Sequence, residues 1–224
     1  MVQILELFGG IGSPRCALRN IGIPVKSIDY VEIDEAAVRS YNAMFAKDLP
    51  YKTQTVVGYN LRPDILIHGS PCQDMSVAGH QGTATRNGRI NHGAGAEEGS
   101  GTRSSLMWET INIIKQMGEW KPKYVIWENV KNVRSKYMVH NHDRYMEELS
   151  KLGYTSTYEL LDAREFGIPQ ARERYFTVSC LKGKEFDFSD LIRTPMRNIH
   201  EFLEQKVDPV YEVTQPSILE CIGA

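Results

Sequence analysis

Short apolar runs alternate with stretches of helical period along most of this chain, and no other feature narrows its fold as far. Residues 3–8 read as a strand, a glycine turn follows, and residues 14–21 carry a helical pattern. A second strand is expected over 27–33, with Asp34 capping a helix that carries Ala36, Ala37, Tyr41 and Met44. A weaker strand is expected at 53–57 and a strong one at 64–68. Residues 104–117 are helical in period, with Leu106, Ile111, Ile113 and Ile114 as core positions. A strand at 124–127, a helix at 143–152 that stops at Gly153, and strands at 154–161 and 175–180 complete the pattern. This alternation predicts an α/β fold, a mostly parallel sheet with helices on both faces. The last two strands lie close in sequence and are expected to pair as an antiparallel edge. Residues 1–182 form the expected main domain. In 183–224 the apolar pattern thins, which predicts a peripheral extension with one helix near 198–206.

A chain of 224 residues can bury such a core without disulfides. Cys16, Cys72, Cys180 and Cys221 have no metal-type spacing and read as reduced thiols, so no metal site is expected. No apolar run is long enough to span a bilayer, and Glu6 interrupts the first apolar stretch, which excludes a signal-peptide pattern. A cytoplasmic protein is expected. The net charge of −2 announces no global field for a polyanion. Between residues 121 and 136, five basic residues face Glu128 alone. That run could meet phosphates, but charge alone favours a solvated rim.

The chemistry concentrates at the predicted ends of strands. Phe8-Gly9-Gly10-Ile11-Gly12 closes the first strand, where glycines let backbone approach a ligand and a helix N-terminus offers free N–H groups. Glu32 ends the second strand, 20 positions after Gly12, where an acidic residue typically holds a ribose hydroxyl. The pair suits a dinucleotide, an adenosyl cofactor, or a tight turn that binds nothing. The run 64–68 leads directly into Gly69-Ser70-Pro71-Cys72-Gln73, which exposes a cysteine at a strand end. Residues 77–103 hold seven glycines and almost no apolar side chain; beside Cys72, they read as a lid. Glu128 and Asn129 follow the strand at 124–127. Gln170, Arg172 and Arg174 alternate and would share one face of an extended segment.

Taken together, these segments resemble the cytosine carbon-5 DNA methyltransferases over roughly residues 2–216. Glu6-Leu-Phe-Gly-Gly-Ile-Gly12 resembles their S-adenosylmethionine loop, and Gly69-Ser-Pro-Cys-Gln73 their nucleophile motif. Glu128-Asn-Val130 resembles their substrate carboxylate motif, and Gln170-Ala-Arg-Glu-Arg174 their Gln-x-Arg-x-Arg motif. The resemblance implies a Rossmann-like S-adenosylmethionine-dependent methyltransferase fold. It implies double-stranded DNA as substrate, S-adenosylmethionine as methyl donor and S-adenosylhomocysteine as product, in a bacterial or phage setting such as restriction–modification.

Residue roles follow from the resemblance. Cys72 would attack carbon 6 of a flipped cytosine, making carbon 5 nucleophilic enough to accept a methyl. Glu128 would bond ring nitrogen 3 and the exocyclic amine. Arg172 and Arg174 would anchor the base or its phosphate and brace Cys72 and Glu128. Gln73, Ser76, Asn129, Val130 and Gln170 would complete the substrate side, with Arg86, Arg89 and Arg103 on the lid. On the cofactor side, Phe8 and Ile33 would flank the adenine, Gly10, Ile11 and Gly12 would admit the methionine part, and Glu32 would hold the ribose. Ser70 and Pro71 would shape the transfer site. Asn60 would stand in for the family's adenine-binding Asp, since Gly58 is followed by Tyr59 and Asn60.

Full members of the family continue into a target-recognition domain and a closing segment, which the resemblance does not extend to here. A partner chain or segment carrying recognition is therefore expected. Three other readings compete: a tRNA cytosine methyltransferase, a catalytically silent or split subunit, and a nicotinamide-dependent oxidoreductase. The oxidoreductase has no use for Pro71-Cys72-Gln73 or for Gln-x-Arg-x-Arg.

Overall fold

A parallel strand buried on both faces needs side chains that can face helices in both directions, and the central runs of this chain supply them. The computed structural model describes residues 2–46, 50–58, 62–71, 83–84, 90–91, 104–136 and 138–222. In chain order the elements are β1 (Val2–Leu7), α1 (Ser13–Asn20), β2 (Val25–Val31), α2 (Glu35–Phe45), β3 (Ile65–His68), β4 (Thr83–Ala84) and β5 (Ile90–Asn91). They continue with α3 (Met107–Gln116), β6 (Tyr124–Val130), α4 (Val139–Lys151), β7 (Tyr154–Asp162), β8 (Glu173–Leu181) and α5 (Pro216–Ile222).

Six strands form one sheet in the order β2-β1-β3-β6-β8-β7. β2, β1, β3 and β6 run parallel, and β8 pairs antiparallel with both β6 and β7. The expected antiparallel edge is present. The chain steps from β1 outward to β2 and then returns to the other side of β1 at β3, so the topology reverses there. Open α/β sheets bind ligands outside the carboxyl ends of the strands at such a reversal.

Period-2 alternation sorts the side chains. Leu5, Leu7, Val31, Leu66, Val125 and Trp127 join the main core with Met107, Ile111 and Ile114 of α3 and Tyr145 and Leu149 of α4. On the opposite face, Tyr30 packs with Val38 and Tyr41 of α2. Helices therefore cover both faces. Asp34 caps α2 as expected, its Oδ1 accepting the Ala37 N–H at 2.8 Å.

Three expectations need correction. Residues 53–57 form no strand; a Gln54 N–H bond to the Glu32 carbonyl (2.7 Å) ties this segment to the end of β2 without a ladder. β6 runs on to Val130, because β8 pairs with it along its full length, so Glu128 and Asn129 lie within the strand. The helix near 198–206 is a single 3-10 turn, Ile199–Phe202, started by an Asn198/Glu201 capping box and ended at extended Leu203. Ile199 and Phe202 stay exposed, so nothing rewards a longer helix.

The described chain divides into two compact units. The first comprises residues 1–162 and 173–191. It extends to Leu191 because Phe186, Phe188 and Leu191 pack on Val178 and Cys180 of β8. The second comprises residues 163–172 and 192–224. Within it, Thr194 bonds Glu165 and Gly167 through its backbone (2.7 and 3.0 Å), and Arg193 pairs with Glu165 at 2.9 Å. It leaves large apolar side chains in solvent, with Ile192 87% and Tyr211 77% exposed.

Candidate active site

The turn after β1 is shaped by two tyrosines beneath it. Tyr30 and Tyr41 stack at 3.7 Å between ring centroids, and the Tyr30 hydroxyl donates to the Gly10 carbonyl at 2.6 Å. A Cβ at Gly12 would sit 2.6 Å from the Tyr41 ring, and the residue has φ +84°, so both space and conformation demand glycine. A Cβ at Gly9 would meet the Tyr30 ring at 2.7 Å. Phe8 holds φ 54°, an uncommon conformation for a side chain of that size. Strain of this kind is retained where neighbouring structure enforces it, often at binding sites.

Glu32 ties this turn to β2. Its carboxylate accepts N–H bonds from Gly10 (3.0 Å), Ile33 (2.7 Å) and Asp34 (2.9 Å). Two carboxylate oxygens offer about four acceptor sites, so capacity remains for ligand hydroxyls. Beside it opens a cleft of about 620 Å³, lined by Phe8, Val31, Glu32, Ile33, Asp34, Gln54, Thr55, Val56, Gly69, Pro71 and Leu106. Phe8, Glu32, Ile33 and Pro71 were anticipated from sequence; Gln54, Thr55, Gly69 and Leu106 were not. Gln54 and Thr55 sit where the strand at 53–57 was expected, so no periodic signal could assign them to the cleft. Gly10, Ile11, Gly12 and Ser70 are not among the residues that line it.

Below the turn, Glu6 of β1 is 1% exposed, and neither of its carboxylate oxygens has a hydrogen-bond partner among the described residues. Burial pushes its carboxyl up to about 7; nearby Tyr41 and Arg15 oppose that shift without reversing it.

The second half of the site lies across β3, β6 and β8. Arg174 is the β8 partner of Val130, which places it diagonally across from Glu128 on the same sheet face. Arg174 Nε lies 3.2 Å from Glu128 Oε1. Glu128 Oε2 in turn lies 3.6 Å from the position a Cβ would take at Gly69. Gly69 thus touches both halves: it lines the cleft and faces the Glu128 carboxylate. Three positions later in sequence stands Cys72.

Cys72, Gln73, Ser76 and Asn60 lie outside the described residues, as does most of the glycine-rich segment proposed as a lid. β4 and β5 form a short antiparallel pair within it. Asn129 is buried on the face opposite Glu128, its Oδ1 accepting the Val130 N–H at 2.7 Å. Gln170 and Arg172 do not share a strand with Arg174, because β8 begins at Glu173. They belong to the second unit, where Arg172 accepts the Ala163 N–H at 3.1 Å and the Gln170 N–H bonds the Ile168 carbonyl at 2.8 Å.

The face behind Glu128 carries an aromatic stack. Trp127 lies between His68 (5.7 Å, 4° between planes) and His142 (5.5 Å, 20°), with Tyr145 4.5 Å away. Tyr145 Oη and His68 Nε2 are hydrogen-bonded at 2.8 Å. Burial lowers His68 to about 3. Burial and the Arg134 guanidinium lower His142 to about 4. Arg134 can only donate, so His142 Nδ1 accepts from it at 3.1 Å and Nε2 carries the proton.

The model of the C-5 cytosine-specific DNA methylase family matches residues 2–220. The chain belongs to that family. Among curated relatives, it is 32% identical to the Type II methyltransferase M2.ScrFI of Lactococcus lactis subsp. cremoris, over 84% of this chain and 63% of that protein. It is 33% identical to the orphan methyltransferase M.Rho11sI of Bacillus phage rho11s, over 79% of this chain and 32% of that protein. The chain therefore spans between about a third and two thirds of the length of these relatives. The S. pombe Dnmt2 methyltransferase superposes with a TM-score of 0.70 at 18% identity, covering 100% of this chain and 66% of that one. The Entamoeba histolytica methyltransferase EhMeth gives 0.69 at 20% identity, covering 98% of this chain and 64% of that one. The fold is thus the Rossmann-like methyltransferase fold. Among the described residues, no helix is long and apolar enough to cross a membrane, and no cluster of His, Cys, Asp and Glu could hold a metal ion.

Proposed function

We propose that this chain carries the catalytic part of a DNA cytosine-5 methyltransferase. The observation that supports it best is the double role of Gly69, which lines the cleft and faces Glu128 just ahead of Cys72. A methyl donor in the cleft and a base held by Glu128 would meet at that point in the chain.

The cleft fits S-adenosylmethionine on three counts. Phe8 and the exposed Ile33 offer apolar surface for a purine, and Glu32 keeps acceptor capacity for ribose hydroxyls. Gln54 and Thr55 add polar groups to the same wall. When bound, the cofactor supplies an electrophilic methyl on a sulfonium. The chain's own residues do the rest. Cys72, as thiolate, adds to carbon 6 of an extruded cytosine, and the ring electrons shift toward carbon 5 and nitrogen 3. Glu128 bonds nitrogen 3 and the exocyclic amine, which selects cytosine and stabilises the charge that develops. Arg174 holds the Glu128 carboxylate in register. After methylation, loss of the carbon-5 proton expels Cys72. Arg172, Gln170, Gln73, Ser76, Asn129 and Val130 belong to the DNA side of this reading, and Asn60 to the adenine end. Target recognition comes from a further segment or a separate chain, and a restriction–modification or phage self-protection role suits the relatives named above.

Trapping on a duplex containing 5-fluorocytosine tests the reading, because fluorine at carbon 5 cannot be eliminated as a cation. With S-adenosylmethionine and a recognition segment from a relative, the native chain is expected to form a covalent adduct and Cys72→Ser none. An adduct that survives Cys72→Ser, or none from either, sinks it.

A further inference from the structure

We infer that Trp127 is a positioning residue, whose indole N–H anchors the chain that enters the nucleophile motif. The inference deepens the function proposed above and rests on that reading for its kinetic arm only. Trp127 is 1% exposed, and its Nε1–H donates to Ser70 Oγ at 3.1 Å. Ser70 is itself 4% exposed. A phenylalanine would fill most of the same space without a donor, and a buried donor without an acceptor costs stability. The pair therefore serves a link that packing alone does not need.

The link joins two critical backbones. Trp127 immediately precedes Glu128, and Ser70 immediately precedes Pro71-Cys72. Alternation along β6 turns Trp127 and Glu128 to opposite faces; beyond the end of β3, Ser70 meets Trp127 while Gly69 faces Glu128 and, with Pro71, lines the cleft. One bond on the buried face thus ties the strand that carries Glu128 to the chain two residues ahead of Cys72. The indole packs against the near-parallel rings of His68 and His142 and against Tyr145, which resist its turning. His68 is held by its bond to Tyr145, and His142 by Arg134. Displacing a reacting group by about 1 Å can cost about 100-fold in rate, so an anchor here has leverage.

Ser70→Ala, Trp127→Phe and the double variant are compared in the full chain, with two readouts. The first is alkylation of Cys72 by iodoacetamide, resolved by peptide mass, which needs no catalytic activity. The second is the rate of Cys72 adduct formation on 5-fluorocytosine DNA, read beside the dissociation constant for S-adenosylmethionine. Each single change is expected to raise Cys72 alkylation by about 3–10-fold and slow adduct formation by about 10–100-fold. Cofactor binding should stay within about twofold. The double variant should match the worse single variant, because one bond is lost only once. Ser70→Thr, which keeps the acceptor, should restore both readouts. Native alkylation in both single variants, or effects that multiply in the double variant, overturns the proposal, as does a lower melting temperature with both readouts unchanged. If Trp127→Phe fails to fold, Ser70→Ala against Ser70→Thr decides. If the native chain forms no adduct even with the recognition segment from a relative, the methyltransferase reading fails, and the alkylation rates alone judge the anchor.

Discussion

The two halves of the sheet's carboxyl edge are built by different means. At the cleft, backbone dominates: a glycine turn pressed on Tyr30 and Tyr41, a strained Phe8, and three N–H groups gathered by Glu32. Across β3, β6 and β8, side chains dominate: Glu128 against Arg174 on one face, and the His68–Trp127–His142 stack on the other. A backbone-built site tolerates no added atoms. A side-chain-built site depends on who holds whom. Each half should therefore fail in its own way.

The sharpest break belongs to the side-chain half. Glu128→Gln keeps shape but replaces an acceptor oxygen with a donor. Adduct formation is expected to fall by about 10²–10³-fold, or about 3–4 kcal/mol, with cofactor binding nearly unchanged. A comparable loss of cofactor affinity, measured by calorimetry, would erase the distinction between the halves.

Next come opposite responses to pH. Glu6, beneath the cleft, is raised to about 7, so the folded state binds its proton more tightly than the unfolded chain. Its contribution is fully present below about pH 4.5 and is lost as pH rises through 7, amounting to about 3 kcal/mol. Glu6→Gln should remove that loss. His142 is lowered to about 4, so the unfolded chain takes up its proton first. Stability should fall as pH drops from about 6.5 to 4, again by about 3 kcal/mol, and His142→Gln should flatten that limb. Urea unfolding of the native chain against each variant at pH 4.5, 5.5, 6.5 and 7.5 separates the two, which oppose each other in the native chain; native-minus-variant slopes of the same sign would refute the assignment.

A smaller effect sharpens the backbone half. Gly12→Ala introduces a Cβ at φ +84° against the Tyr41 ring. It should cost about 2 kcal/mol of stability and raise the cofactor KM, leaving the rate at saturating cofactor within a fewfold of native. A rate defect at saturation with native KM would place the turn in the chemistry instead. The smallest effect is the control. Arg39→Ala breaks an exposed pair with Glu35 at 3.7 Å and should shift stability by no more than about 0.5 kcal/mol.

The contrast also explains what could be read in advance. Periodicity located β1, β2, β3 and the helices α1 to α4, though not α5, because burial repeats every two or about 3.6 residues. It placed a strand at 53–57 because Thr55, Val56 and Val57 look β-like in isolation; the cleft wall claimed that segment instead. It ended the strand at Trp127 because Glu128 and Asn129 look like a turn, whereas pairing with β8 carries β6 to Val130. Phe8, Glu32, Ile33 and Pro71, which line the cleft, were legible in advance through their motifs and the resemblance these carry. Gln54, Thr55 and Leu106 were not, since no local pattern marks a residue that lines a cleft from a loop. Trp127, His68 and Tyr145 read only as apolar or helical positions.

Sequence by itself determined the alternating order of strands and helices, the family, and the residue types that chemistry requires. These are local properties: propensity, spacing and motif. Tertiary structure decided the geometry by which Arg174 braces Glu128, as the resemblance implied, and it alone decided that Gly69 belongs to both halves of the site and that Trp127 reaches Ser70. Each of these joins residues more than 40 positions apart that the sheet brings into contact. Register and twist set such distances, and neither is written in any one stretch of the chain.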